Sequence, residues 1–298
     1  MEMRQRNSLK RIVVIGAGGR LGAALVRELA ANFEVTGFNH SQLDLARPDD
    51  LRDTLRPVAF DALINAAALT NVDYCEDHRE EAMKLNATAP RVLAEIAAGA
   101  GARFIHVSTD YVFDGEKRQP YTEENEAKPI SVYGESKRTG ETEVLRANPD
   151  SLVVRVSWVF GPDRPSFIDA ILKKARTEET VAAVADKFST PTYTPDIAAM
   201  LRLLLEGPTP HGLLHLANGG SCSWQEYAQW ALDCCHGYGV PMKACTVGAT
   251  SLGEMKNFVA RRPVYTVLGT EKYERLTKQT PRDWHEVVEE YVREHYRA

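Results

Sequence analysis

No run of eighteen apolar residues occurs anywhere in the 298-residue chain, which excludes a transmembrane helix of ordinary length. Residues 1–10 are charged and polar and lack the apolar centre of a signal peptide, so the expectation is a cytoplasmic protein with no membrane partner. Basic residues are not in excess: 36 Lys and Arg against 41 Asp and Glu leave a formal charge of −5, without the positive field that binds a phosphate backbone. Nucleic acid is therefore a poor partner. Cysteine is scarce, with Cys75, Cys222, Cys234, Cys235 and Cys245 odd in number and none at CxxC spacing, so neither a disulfide framework nor a metal site is expected. Internal repeats and low-complexity tracts are also missing. Apolar residues are plentiful, at 44%, enough to build the core of a large domain or of a dinucleotide-binding domain with a smaller lobe.

Residues 11–16 (RIVVIG) form a short β-branched run ending in glycine, after which Leu21, Leu25 and Leu29 recur every four residues. That pattern is strand, tight turn, helix. Apolar runs at 33–38 and 62–65, an alanine-rich helix near 80–98 and a strand at 103–107 continue the alternation. A helix over 132–147 follows, capped by Ser131 and stopped by Asn148-Pro149, then a buried strand at 152–156. Strands alternating with helices imply right-handed crossovers and a parallel sheet. The expected fold is α/β, a doubly wound parallel sheet of the Rossmann type with a smaller α/β substrate lobe built from late segments. Residues 1–160 form the dinucleotide-binding domain, parts of about 185–220 return to it, and 161–298 are mainly the substrate lobe. Loops are expected at 116–128, 163–165 and 189–195, and helices near 47–55 and 196–205 and from 223.

The turn after the first strand reads Gly16-Ala17-Gly18-Gly19-Arg20-Leu21-Gly22. Gly16 and Gly19 let the backbone approach a pyrophosphate, helix N-terminal amides meet its charge, and Gly22 permits close packing of helix on sheet. The stricter GxGxxG is not satisfied, because Leu21 stands in its last place. A carboxylate that holds the ribose 2′-hydroxyl is usual about twenty residues on, at the end of the second strand. Here that end reads Phe38-Asn39-His40-Ser41. With no carboxylate to repel a 2′-phosphate, and with Arg20 and His40 nearby, the sequence leans toward NADPH over NADH, although Asn39 can serve either ribose. Asp44, followed by Leu45, either accepts a bond from the adenine amine or caps the next helix. Asn65-Ala66-Ala67-Ala68 suits a flat cofactor across strand ends, or simply tight helix packing.

Tyr133-Gly134-Glu135-Ser136-Lys137 sets a phenol and an ammonium four residues apart, on one face of a helix. A nearby ammonium lowers a tyrosine pKa, so the phenol can give a proton to a carbonyl oxygen as hydride arrives. Ser108-Thr109-Asp110 ends a strand at its carboxyl edge, where open parallel sheets bind ligands. Thr109 is the candidate to hold a substrate carbonyl. Asp110 stays open between substrate chemistry and a turn.

Together, Gly16 to Gly22, Asn65 to Ala68, Ser108-Thr109-Asp110-Tyr111-Val112-Phe113-Asp114-Gly115, Tyr133 to Lys137 and Arg155-Val156-Ser157-Trp158-Val159-Phe160-Gly161 resemble the dTDP-4-dehydrorhamnose reductase family. Pro191-Thr192 and Arg262-Pro263-Val264-Tyr265-Thr266-Val267-Leu268 extend the similarity through nearly the whole chain. The resemblance implies hydride transfer from a nicotinamide to C4 of a dTDP-4-keto-6-deoxyhexose. It makes Tyr133 the proton donor, Lys137 its electrostatic partner and the nicotinamide-ribose anchor, and Thr109 the group that holds the ketone. Tyr111 and Trp158 would frame the sugar, with Thr70 and Asp73 on a flanking loop and Arg262 as a fork for the diphosphate. Tyr111 stands where related 4,6-dehydratases carry Glu, which disfavours dehydration.

Three positions depart from the family pattern. Ala24 replaces a glutamate through which some members bind a metal at a dimer interface, so no metal is expected and a homodimer stays open. Gly269 follows Leu268 where Asp or Asn is usual, and Arg261 precedes Arg262. Two other functions compete: a reductase or epimerase of another nucleotide-sugar on the same scaffold, and a noncatalytic regulatory subunit resembling the methionine adenosyltransferase β subunit.

Overall fold

The computed structural model describes residues 9–207 and 210–296, so most of the polar opening stretch discussed above lies outside the described residues. Six strands form one sheet: β1 (Arg11–Ile15), β2 (Glu34–Phe38), β3 (Ala62–Asn65), β4 (Arg103–Thr109), β5 (Leu152–Val156) and β6 (Gly212–His215). Their order is β6-β5-β4-β3-β1-β2 and every pair is parallel. The strands are short and mostly apolar because helices cover both faces. Leu21, Leu25 and Leu29 of the helix Arg20–Leu29 pack on one face beside the helix Thr194–Glu206. Leu51 and Leu55, Val92 and Leu93, and Val144, from three further helices, cover the other. The chain leaves β1 for β2 at the edge, then crosses back to β3 on the opposite side of β1. That reversal opens a crevice beyond the carboxyl ends of β1 and β3, the place where open parallel sheets bind ligands.

A smaller layer is built from the helices Phe167–Ala175, Trp224–Gly237 and Trp284–His295 and the parallel pair Val181–Val184 and Val247–Thr250. Its core includes an aromatic group, with Phe160, Tyr193, Tyr227, Trp284 and Tyr291 buried together among aliphatic residues. Two stretches differ from expectation. The loop at 189–195 contains the strand piece Thr192–Tyr193, paired with Val159–Phe160, and the start of the helix Thr194–Glu206. The helix near 80–98 is three pieces: Arg79–Met83, a π-helical turn Lys84–Thr88, and Ala89–Gly99. Asn86 lies in the π turn and bonds outside its own helix, and π turns recur where a helix is bent to serve a site.

The helix Val132–Ala147 begins as expected, with the Ser131 hydroxyl accepting from Gly134 N–H at 3.2 Å. Two glycines let it press against its neighbours. A Cβ on Gly134 would stand 2.2 Å from the Tyr111 carbonyl oxygen, and one on Gly140 would stand 2.1 Å from that of Asn86. Glu141 then fixes the helix to the sheet from within. Its carboxylate accepts two bonds from Arg155 of β5, both 2.7 Å, and one from the Ser108 hydroxyl of β4, also 2.7 Å. Arg155 also lies over the Phe113 ring. Removing one partner of a buried ion pair strands the other charge, which costs roughly 3–5 kcal/mol. Glu141→Ala should therefore lower the unfolding free energy by about that amount in urea titration; a loss below about 1 kcal/mol, the range of an exposed pair, would contradict this role.

Candidate active site

The glycine turn lies at the crevice. Gly16 has φ +87°, and a Cβ on it would come 2.8 Å from the Ala67 amide nitrogen, so the β1 and β3 loops touch there. A Cβ on Gly22 would stand 2.0 Å from the Gly16 carbonyl oxygen, which makes glycine obligatory for this approach. Gly19 begins the helix Arg20–Leu29, and no side chain caps it. First-turn amides of Arg20, Leu21 and Gly22 are thereby available to an anion at the helix N-terminus, and the bare cradle fits a pyrophosphate. Asn65 shapes the facing wall: its Oδ1 accepts from Ala67 N–H at 3.1 Å, and its Nδ2 donates to Nδ1 of His106 at 3.1 Å. Burial holds His106 well below the usual histidine range, leaving it neutral as that bond requires. Ala66, Ala67 and Ala68 border this wall half-buried.

Other expected cofactor residues are occupied. Asn39 Oδ1 accepts from Ser41 N–H and Oγ and from Gln42 N–H, forming a local turn. Asp44 caps its own turn through Ala46 N–H at 2.9 Å, and Leu45 is buried in the core. His40 is exposed. Arg20 departs from expectation: its guanidinium donates to the carbonyls of Val159, Arg164 and Pro165, away from the end of β2.

Tyr133 and Thr109 come together. The Thr109 hydroxyl lies close to the Tyr133 phenol, and Tyr111 stacks edge-on to the Tyr133 ring at 5.7 Å. Burial raises the Tyr133 phenol above its usual range, and the neighbouring Thr109 hydroxyl only partly offsets this. The expectation that Lys137 lowers this pKa is not met. Lys137 is on the same helix face, but its ammonium donates to the Val107 carbonyl at 2.7 Å, and burial of the ring decides the phenol's state. Tyr133 is thus held protonated. Lys137 itself is pulled down by burial to about 8, with Glu141 opposing. Thr109 Oγ1 donates to Asp110 Oδ1 at 3.1 Å, and Asp110 Oδ2 accepts from Ser157. Burial raises the Asp110 carboxyl.

Arg262 and Asp73, expected to contact substrate separately, are paired with each other. Arg262 donates to both Asp73 oxygens, at 2.7 and 2.6 Å, and its guanidinium lies over Phe258. Asp73 also accepts from the amides of Val259 and Ala260. The Arg262 side chain bonds protein and is only 8% exposed, so no open fork faces a diphosphate. Asp73 sits in the first turn of a short helix, Val72–Asp77, rather than in a loop, while Thr70 is exposed just before it. Trp158 is half-buried with φ +40°, packed among Phe167, Trp224 and Tyr227.

The profile of the RmlD substrate binding domain matches residues 10–297, nearly the whole chain. The chain belongs to that family. A probable dTDP-4,6-dihydroxy-2-methyloxan-3-one 4-ketoreductase of Streptomyces antibioticus is 37% identical over 285 residues, covering 94% of each chain. The dTDP-4-dehydrorhamnose reductase of Mycolicibacterium smegmatis is 36% identical, covering 95% of this chain and 85% of the relative. The crystal structure of dTDP-4-dehydrorhamnose reductase from Bacillus anthracis in complex with NADP superposes with a TM-score of 0.88 at 30% identity, covering 96% and 99% of the two chains.

Two buried residues next to these groups in the RmlD-family chain escaped the sequence reading. Asn86 ties the crevice loop to the helix Val132–Ala147: its amide exchanges bonds with Leu69 N–H and carbonyl, and its Nδ2 donates to Ser136 Oγ at 2.9 Å. An asparagine in the middle of an alanine-rich helix was its signal. Lys187 is buried, donates to the Pro263 carbonyl at 2.7 Å and lies 5.2 Å from the Tyr111 ring centre. Burial brings it to about 8 against the pull of Asp110. Nothing in its sequence surroundings marked it, since lysine is ordinarily exposed.

Tyr133→Phe in this RmlD-family chain should lower kcat by roughly 10²–10⁴-fold with cofactor binding little changed, whereas Lys137→Met should damage both. The double variant should be scarcely worse than the poorer single one, because both disable one proton transfer; additive losses in steady-state kinetics would refute the coupling. The pH profile has a definite sign. Lys137 loses its charge as pH rises through about 8, so kcat/KM for the reduced cofactor should fall above that pH. A profile level to pH 9.5 or beyond, about a unit and a half higher, would exclude a role for the Lys137 ammonium.

Proposed function

We propose that this chain reduces the C4 ketone of a dTDP-linked keto-deoxysugar, taking dTDP-4-dehydro-L-rhamnose to dTDP-L-rhamnose with NADPH or NADH. The observation that carries this is the buried Tyr133 phenol, kept protonated beside the Thr109 hydroxyl at the end of β4, on the same edge of the parallel sheet as an uncapped glycine turn. A nicotinamide dinucleotide supplies the hydride when bound. The cradle of Gly16, Gly19 and Gly22 and the amides of Arg20 and Leu21 hold its pyrophosphate, and Ala66 to Ala68 border its path along the strand ends.

Thr109 orients the ketone oxygen through its hydroxyl, and Tyr133 gives that oxygen a proton as the carbon gains hydride. Lys137, on the same helix face and with its ammonium held at the Val107 carbonyl, holds the nicotinamide ribose. Asp110 fixes the Thr109 hydroxyl from below. Tyr111 and Trp158 border the sugar, and the Arg262–Asp73 pair closes one wall of its pocket without contacting phosphate. The name of the Streptomyces relative, which specifies a different dTDP-linked 4-ketone, supports a second reading in which the same reduction serves another sugar.

Incubating the purified chain with NADPH and a panel of nucleotide-linked 4-keto-sugars tests this. Oxidation of NADPH should be fastest with dTDP-4-dehydro-L-rhamnose and give dTDP-L-rhamnose. Faster turnover of another dTDP-4-keto-sugar would favour the second reading. No oxidation with any member of the panel, together with co-purification of a partner enzyme, would favour a regulatory subunit.

A further inference from the structure

We propose that Arg164, from the loop after β5, binds the 2′-phosphate of NADPH and makes this chain prefer the phosphorylated cofactor. The inference rests on the dinucleotide reading of the glycine turn. Three observations place the residue. First, the end of β2 touches that turn: the Phe38 carbonyl accepts from Gly16 and Ala17 N–H, and a Cβ on Gly18 would stand 3.4 Å from Asn39 Cβ. The adenosine ribose of a bound dinucleotide lies at this junction. Second, Arg164 reaches the same junction from far along the chain, donating from Nε and Nη2 to the Gly18 carbonyl at 3.0 and 2.8 Å. Third, its charge is uncommitted. Arg164 has no carboxylate partner among the described residues and is exposed, and its Nη1 bonds no protein group among them.

Apart from the exposed His40, the other candidate groups at this junction are engaged elsewhere. Arg20 is committed to three loop carbonyls, and Asn39 Oδ1 to its own turn. No carboxylate occupies 38–41 to repel a phosphate dianion. The loop that carries Arg164 is held on both sides, by an Arg27–Asp163 ion pair before it and by the Arg20 bond to the Pro165 carbonyl after it. Arg164 is therefore preorganised, which lowers the entropy cost of each bond it makes to phosphate. The pyrophosphate belongs elsewhere, at the amides of Arg20 to Gly22, so Arg164 acts on the part that distinguishes NADPH from NADH.

Calorimetric titration of the full chain with NADPH, NADH, adenosine 2′,5′-bisphosphate and 5′-AMP tests the assignment without turnover. Arg164→Ala should weaken NADPH and the 2′,5′-bisphosphate by roughly 10- to 100-fold and leave NADH and 5′-AMP within about twofold. Arg164→Gln, which keeps length but not charge, should behave alike, and an unchanged melting temperature in both variants shows that the fold is retained. NADPH affinity within twofold of wild type overturns the proposal, and so does an equal loss for NADPH and NADH, which would move Arg164 to the pyrophosphate. Failure of the wild-type chain to bind either dinucleotide would instead bring down the glycine-turn reading and this proposal with it.

Discussion

The buried ion pair between Glu141 and Arg155 fixes the helix that carries Tyr133 and Lys137 against the sheet. It joins the helix carrying Tyr133 and Lys137 to β5, and the Ser108 bond to the same carboxylate joins it to β4. Thr109 is the next residue on β4, so one interior carboxylate relates the phenol to the hydroxyl that faces it. Apolar contacts alone would let the helix slide along the sheet. A bidentate pair has one good geometry, and displacing it leaves two charges without water.

Close backbone approaches supply the complementary constraint on the cofactor side. Gly22 lets the first helix meet the end of β1, and Gly16 meets Ala67 across the reversal of strand order. Asn65 and Asn86 then stiffen the loop between β3 and the active site, one through Ala67 and the other through Leu69. The loop after β3, which meets the glycine turn at Ala67, is thus tied to the helix Val132–Ala147 by side-chain bonds through Asn86 and Ser136. Preorganisation of this kind leaves less to be ordered when substrate arrives.

What the sequence made legible was local. A glycine turn between a strand and a helix, or Tyr133 and Lys137 one helical turn apart, is specified by neighbours within a few residues. The parallel α/β fold followed for the same reason, from strands and helices that alternate with clear periodicity. Pairings across the chain were hidden. Arg262 was expected to hold a diphosphate, but Asp73, 189 residues away, satisfies it. Arg20 was expected near a ribose phosphate, yet it turns toward carbonyls about as distant as Arg164, whose own bond to Gly18 spans 146 residues. The four-residue spacing also showed that Tyr133 and Lys137 share a face, but not that burial outweighs charge in setting the phenol's state. That balance depends on burial of the ring, with Tyr111 packed edge-on against it and the charge of Asp110 acting in the same direction, which only the folded chain reveals.

Hydride delivery to C4 beside a protonated Tyr133 is the claim on which the functional account stands. Reduction of dTDP-4-dehydro-L-rhamnose by NADPH carrying deuterium at nicotinamide C4, prepared separately with each face labelled, reads it directly by NMR of the product sugar. The account predicts that one of the two labelled cofactors, and not the other, places deuterium on C4 of the hexose. Deuterium at another carbon, or none in the sugar with either cofactor, would contradict it.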